Sequence, residues 1–182
     1  MGKISKVGYE LSDINLIQTP ISDVEHRTEC DPTIELCGRR VYPVIVAPMG
    51  AVTDENNYKV WLENGFICVV PRTVDFGKRL IISKETYVSV SLNEAEKLAD
   101  LKENLFQIDL NPIGLILDGP SEIVYSPKIN EMEKRYICID VAHGTMSRLY
   151  KICDALKHVY GDKIEIMTGN VANPEAYPYY SN

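Results

Sequence analysis

Five short apolar runs recur along the chain, at residues 41–49 (VYPVIVAPM), 66–71 (FICVVP), 86–91 (TYVSVS), 136–141 (YICIDV) and 164–169 (IEIMTG). They are rich in β-branched and aromatic residues and mostly lack strict in–out alternation, which predicts short strands buried on both faces. Stretches with helical spacing lie between them. Thr53 or Asp54 offers a cap for a helix that runs to about Asn64, where Asn64-Gly65 is a stop signal. A short helix is expected around Asp75 to Ile82, and Asn93 offers a cap for a helix from Glu94 to about Glu103. After the fourth run, Thr145 offers an N-cap, Leu149, Ile152, Cys153 and Leu156 fall on one helical face, and Gly161 is a C-cap. A last helix start is read at Asn173-Pro174, but Pro178 interrupts it within a turn, so the AYPYYSN end is expected to fray.

Two stretches break this rhythm. Residues 1–42 read as an N-terminal extension with a few short strands. Residues 104–130 read as a hairpin insertion, because Asp118-Gly119 separates two apolar pieces. The remainder amounts to about five βα units, an α/β pattern of parallel strands covered by helices. Doubly wound sheets and (β/α)8 barrels both fit it. No GxGxxG follows a strand and no GxxxxGK[ST] occurs, which argues against a Rossmann site or a P-loop.

One carboxylate intrudes on these cores. An unpaired carboxylate inside a buried strand is costly, so Asp140 is expected at its strand's end, facing a polar space. The C-terminal ends of parallel strands are where βα folds build sites, and His143 and Gly144 follow directly. The net charge of −7 argues against nonspecific binding to nucleic acid or to an anionic membrane, and no apolar run is long enough to span a bilayer. The start, MGKISKVGYE, has no apolar signal core. Five cysteines, at 30, 37, 68, 138 and 153, show no CxxC spacing, and their odd number argues against a disulfide framework. They read as reduced thiols of a cytoplasmic protein, with no metal site.

Five motifs carry a resemblance. They are YELSDINLI near the N-terminus, HRTECDPT at 26–33, PVIVAPM at 43–49, ICIDVAHG at 137–144 and IMTGNVANPEAY at 166–177. In this order, over nearly the whole chain, they resemble the IMP dehydrogenase / GMP reductase family. The resemblance implies a (β/α)8 TIM-type barrel, here incomplete, with 1–182 as a single partial-barrel domain. It also implies a purine nucleotide substrate (GMP or IMP) and a nicotinamide cofactor, NADPH or NAD. Family members oxidise IMP to XMP with NAD or reduce GMP to IMP with NADPH. Both reactions pass through an adduct between a Cys thiolate and purine C2. A monovalent cation would belong only to the complete enzyme.

By this resemblance Met49 matches the methionine that lies against the purine nucleotide. Arg72 falls where the reductases carry a cation near the reacting purine and cofactor, although position 71, often His in the family, is Pro71 here. Asp140 matches the acid that holds the cofactor's ribose and nicotinamide side, with Val141, Ala142 and His143 beside it. Gly169 and Asn170 match the Gly-Asn pair at the pocket rim. Each has a plainer reading: Met49 as core filler, Arg72 as a solvated charge, Asp140 as a helix cap, His143 as a local hydrogen-bonding group and Asn170 as a turn residue.

The family's catalytic cysteine sits on a Gly- and Ser-rich loop after the sixth strand. None of the five cysteines occupies such a loop, so no catalytic residue is assigned. A full barrel needs about 250 residues. The chain is therefore expected to be inactive alone, with open edges at 43–47 and 164–169 that call for the missing half-barrel or for self-association. No regulatory insertion separates the second and third strands, which with HRTECDPT favours the reductase branch. The alternatives are a dehydrogenase, or a non-catalytic nucleotide-binding half-barrel that docks on a full-length enzyme.

Overall fold

All five apolar runs join one parallel sheet. The computed structural model describes residues 11–15, 17, 20–100 and 133–180. The hairpin expected over 104–130 lies outside the described residues. The chain divides into two compact units, Met1–Pro32 and Thr33–Asn182. The first carries 3-10 turns at Leu11–Asp13 and Arg27–Glu29, and the Glu29 carboxylate accepts from the His26 N–H at 3.0 Å.

The second unit opens with an antiparallel hairpin, β1 (Ile34–Leu36) and β2 (Arg39–Val41). Its two-residue turn, Cys37-Gly38, has φ of 55° and 66°, the positive values that suit the twist of a tight hairpin. The parallel strands follow: β3 (Ile45–Val46), β4 (Ile67–Val70), β5 (Tyr87–Val90), β6 (Arg135–Asp140) and β7 (Ile164–Gly169), adjacent in chain order. β3 is shorter than its apolar run. Pro43 has no N–H for a ladder, and the Val44 N–H turns back to the Tyr42 carbonyl.

The helices start where local hydrogen bonds place them. α1 (Tyr58–Glu63) follows a turn in which the Asp54 carboxylate accepts from the N–H groups of Asn56 and Asn57, and the Asn57 side chain accepts from that of Asp54. α2 (Phe76–Ile82) is capped by Asp75, which accepts from the Lys78 N–H. α3 (Leu92–Asp100) is capped by Ser91 rather than Asn93. Ser91 and Glu94 exchange side-chain-to-backbone bonds in a capping box. α4 (Ser147–Tyr160) has Met146, not Thr145, at its N-cap, and it ends at Gly161 as expected. The residues after β7 do not fray up to Tyr180. Asn173 caps a 3-10 helix over Pro174–Tyr179, and the Tyr180 hydroxyl donates to the Gly144 carbonyl at 2.7 Å.

Parallel register and the pleat sort the strand side chains into two faces. Val88, Val90, Ile137 and Ile139 point one way and are fully buried in the core. Tyr87, Ser89, Tyr136, Cys138, Asp140, Glu165 and Met167 share the other face. At its N-terminal end, Tyr87 donates to Glu165 at 2.6 Å, Lys134 pairs with Glu165, and the Tyr87 and Tyr136 rings meet edge to face. Cys37 from the hairpin turn reaches Tyr87 there. Asp140 and Gly169 stand at the opposite, C-terminal end.

Candidate functional site

β6 ends on Asp140, and its carboxylate stands at the mouth of this polar face. Two groups reach the same oxygen, Oδ2: the Ser89 hydroxyl donates to it at 3.4 Å and the Arg72 guanidinium stands 3.7 Å away. Arg72 and Asp140 keep 48% and 40% of their side-chain surface in solvent. An ion pair so open to water contributes little to stability, about 0–1 kcal/mol. Both groups therefore remain available to a ligand at modest cost.

The backbone around Asp140 is closed by a ring of main-chain bonds. The Val141 N–H donates to the Gly169 carbonyl at 2.8 Å, Asn170 returns a bond to the Val141 carbonyl, and the Gly144 N–H donates to the Asn170 carbonyl at 2.8 Å. This ring locks the loop after β6 to the loop after β7. The Gly169–Asn170 peptide within it is cis. On the other side, the loop after β3 touches the loop after β4: a Cβ on Gly50 would meet the Thr73 hydroxyl at 3.3 Å. Met49 sits beside Gly50, its side chain exposed and its carbonyl accepting from Val52 and Thr53.

The structure thus brings Arg72 and Asp140 into contact and ties Val141, Gly169 and Asn170 together through main chain. Met49 joins through its loop rather than by direct contact. Ala142 and His143 lie in an exposed turn, where the His143 ring meets the Thr145 hydroxyl at 3.4 Å, a local contact. Sequence reasoning missed two members. Ser89 was hidden in the run TYVSVS, where a serine alternating with valines in a core strand was the available signal. Gly144 shows its role only once the Asn170 carbonyl is placed beside it.

The thiols of the second unit are not activated. Burial pushes Cys138 up to about 11, helped by the nearby Asp140 charge. Burial pushes Cys153 to about 11 and also raises Cys68. Cys37 reaches about 12 through burial and the Glu165 charge. All four stay protonated at neutral pH and are poor nucleophiles. Among the described residues no group of three His, Cys, Asp or Glu side chains could hold a metal ion. No described helix is long and apolar enough to cross a membrane. A cavity of about 440 Å3 opens beside the same corner, walled by Met146, Tyr150, Tyr179 and Tyr180, but it includes none of the expected site residues.

No protein-family model matches the chain. It is 32% identical over 160 residues to the GMP reductase of Albidiferax ferrireducens, a match covering 84% of this chain and 41% of that protein. It is 28% identical over 175 residues to the GMP reductase of Clostridium acetobutylicum, covering 92% and 46%. Its fold is similar to the crystal structure of inosine 5′-monophosphate dehydrogenase from Legionella pneumophila, with a TM-score of 0.50 and 21% identity over 76% of this chain and 36% of that one. The comparisons support the IMP dehydrogenase / GMP reductase family for this chain. It spans less than half the length of the relatives it matches. Its parallel strands and helices are part of a barrel of that family's type, and family membership implies a nicotinamide cofactor.

Proposed function

We propose that this chain supplies the cofactor-side wall of a cytoplasmic purine nucleotide oxidoreductase, and that the reaction is NADPH-dependent reduction of GMP to IMP. The observation that carries this reading is Asp140, a half-exposed carboxylate at a strand's C-terminal end, backed by a buried hydroxyl and faced by Arg72. A carboxylate so placed accepts hydrogen bonds from the paired hydroxyls of a ribose, so the residues fit a nicotinamide nucleotide. The bound cofactor would supply hydride for purine C2.

In this reading Asp140 binds and orients the ribose, while Val141, Ala142 and His143 line the approach. Met49 lies against the purine, Arg72 faces the negative charge of nucleotide and cofactor, and Gly169 and Asn170 form the rim. The GMP reductases among the relatives favour the reductive direction. None of the protonated thiols of the second unit suits the covalent step, and Cys30 is not in a Gly- and Ser-rich loop of the kind that carries the family's nucleophile. We therefore place the nucleophile on a segment outside these 182 residues, which would complete the barrel as a partner or as further chain.

The test is calorimetric titration of the purified chain with NADPH and with GMP. Asp140→Asn should weaken NADPH binding roughly 10- to 150-fold, the loss of a charged hydrogen bond. Equal affinity in the wild type and in Asp140→Asn would refute the role of Asp140. NADPH-dependent consumption of GMP by the purified chain alone would refute the need for an outside thiol.

A further inference from the structure

We infer that Ser89 is a positioning residue for Asp140, and that it fixes which carboxylate oxygen faces the ligand; this rests on the cofactor-side reading given above. Ser89 is 1% exposed, so its hydroxyl has no water to choose. Among the described residues, Ser89 and Arg72 are the polar partners of the Asp140 side chain, and both reach Oδ2. Oδ1 is left to the ligand. Arg72 is half in solvent and moves at small cost, so it cannot set the carboxylate's orientation by itself. The buried serine can.

The position of that serine is itself fixed from behind the sheet. Its carbonyl accepts from Arg79, a buried guanidinium on α2. Arg79 also donates to the Val74 carbonyl at 2.9 Å and pairs with Glu94 at 2.7 Å. Glu94 is in turn tied to Ser91 by the capping box of α3. The C-terminal end of β5 is thus clamped by two helices. Register pairs Ser89 with Cys138, so its hydroxyl reaches diagonally to Asp140. A short side chain on a clamped strand can aim a carboxylate in a way a mobile surface side chain cannot.

The experiment is a double-mutant cycle on the full chain: wild type, Ser89→Ala, Asp140→Asn and the double variant, each titrated with NADPH and, separately, with NADH. Ser89→Ala should weaken binding about threefold to tenfold, the effect of one ordinary hydrogen bond, as its 3.4 Å length implies. In the Asp140→Asn background the same change should have no further effect, because Ser89 acts only through that carboxylate. Ser89→Thr, which keeps the hydroxyl, should bind within twofold of wild type. An equal loss from Ser89→Ala in both backgrounds would mark a general structural role and overturn the inference. So would a silent Ser89→Ala beside a weakened Asp140→Asn, which leaves the cofactor-side reading intact. A wild type that binds neither dinucleotide overturns both.

Discussion

Gly144→Ala tests whether the site depends on the ring of main-chain bonds between the loops after β6 and β7. Gly144 is buried, and a Cβ there would stand 2.6 Å from the Asn170 carbonyl oxygen and 2.8 Å from Val171 Cγ2. The nearest obstacle is backbone, which cannot swing aside like the tip of a side chain. Forcing an extra carbon into a filled site costs about 1–3 kcal/mol. Pushing Asn170 away also strains the Gly144 N–H to Asn170 carbonyl bond, worth about 0.5–1.5 kcal/mol. Together these give about 2–4 kcal/mol, or a melting temperature lowered by roughly 5–15 °C for a chain of this size. The Asn170 rim must move as well, so NADPH affinity should fall in the same variant. Gly161→Ala is the control. Its φ of 54° and ψ of −128° suit glycine, but a Cβ there meets nothing within 4 Å. It should cost about 1–3 kcal/mol through backbone strain alone and leave NADPH affinity unchanged. Thermal melts by circular dichroism and NADPH titrations of both variants decide the matter. A Gly144→Ala chain that melts and binds like wild type would refute the argument.

Three further outcomes follow from the same geometry. Arg79→Met leaves the partly buried Glu94 without its cation and should cost about 2–4 kcal/mol by chemical denaturation, with part of the loss recovered in Arg79→Met/Glu94→Gln. Burial would raise the carboxyls of Glu94 and Glu165, but Arg79 on the first, and Lys134 with Tyr87 on the second, hold both below the ordinary value. Carboxyls lowered in this way add stability above the unfolded value near 4.3 and lose it as pH falls through the folded values. Glu94→Gln/Glu165→Gln should therefore flatten the loss of melting temperature below about pH 4.3; an unchanged acid limb would contradict this. Iodoacetamide should label the exposed Cys30 quickly and the other four thiols only after unfolding, a pattern that peptide mass spectrometry reads directly.

The strands were legible because each is a short run rich in β-branched and aromatic residues and closed by a polar or turn residue, as a parallel sheet under helices requires. Helix starts were less legible because a cap is chosen by three-dimensional competition. Ser91 and Glu94 form an S-x-x-E box visible in the sequence. Asn93, also a good capping type, instead accepts a bond from Arg148 on α4. Thr145 cannot begin α4, because Gly144 just before it is bonded to Asn170 and the chain must first turn away from β7. The anchoring of Tyr180 on the Gly144 carbonyl links residues 36 apart, and no local pattern reports it. Asp140 was legible as a candidate for the site because a carboxylate in a core strand demands an explanation. Ser89 was not, since a small hydroxyl in a strand makes no such demand.

The two ends of the polar sheet face differ in a way that favours the C-terminal end for the proposed site. At the N-terminal end the hairpin turn brings Cys37 against Tyr87, and Glu165 is already satisfied by Lys134 and Tyr87. Lys134 and Glu165 are paired with each other there, and burial holds the thiol and the Tyr87 phenol in their neutral forms. Such an end is filled and contributes packing. At the C-terminal end Asp140 has one fixed donor and one exposed, replaceable cation. Removing Lys134 should therefore lower stability without touching NADPH affinity, whereas removing Arg72 should change NADPH affinity with little effect on the melt. Lys134→Met and Arg72→Met, each measured by melting and by titration, test this division. If Lys134→Met weakened NADPH binding as much as Arg72→Met, the two ends would be coupled and the division would be wrong.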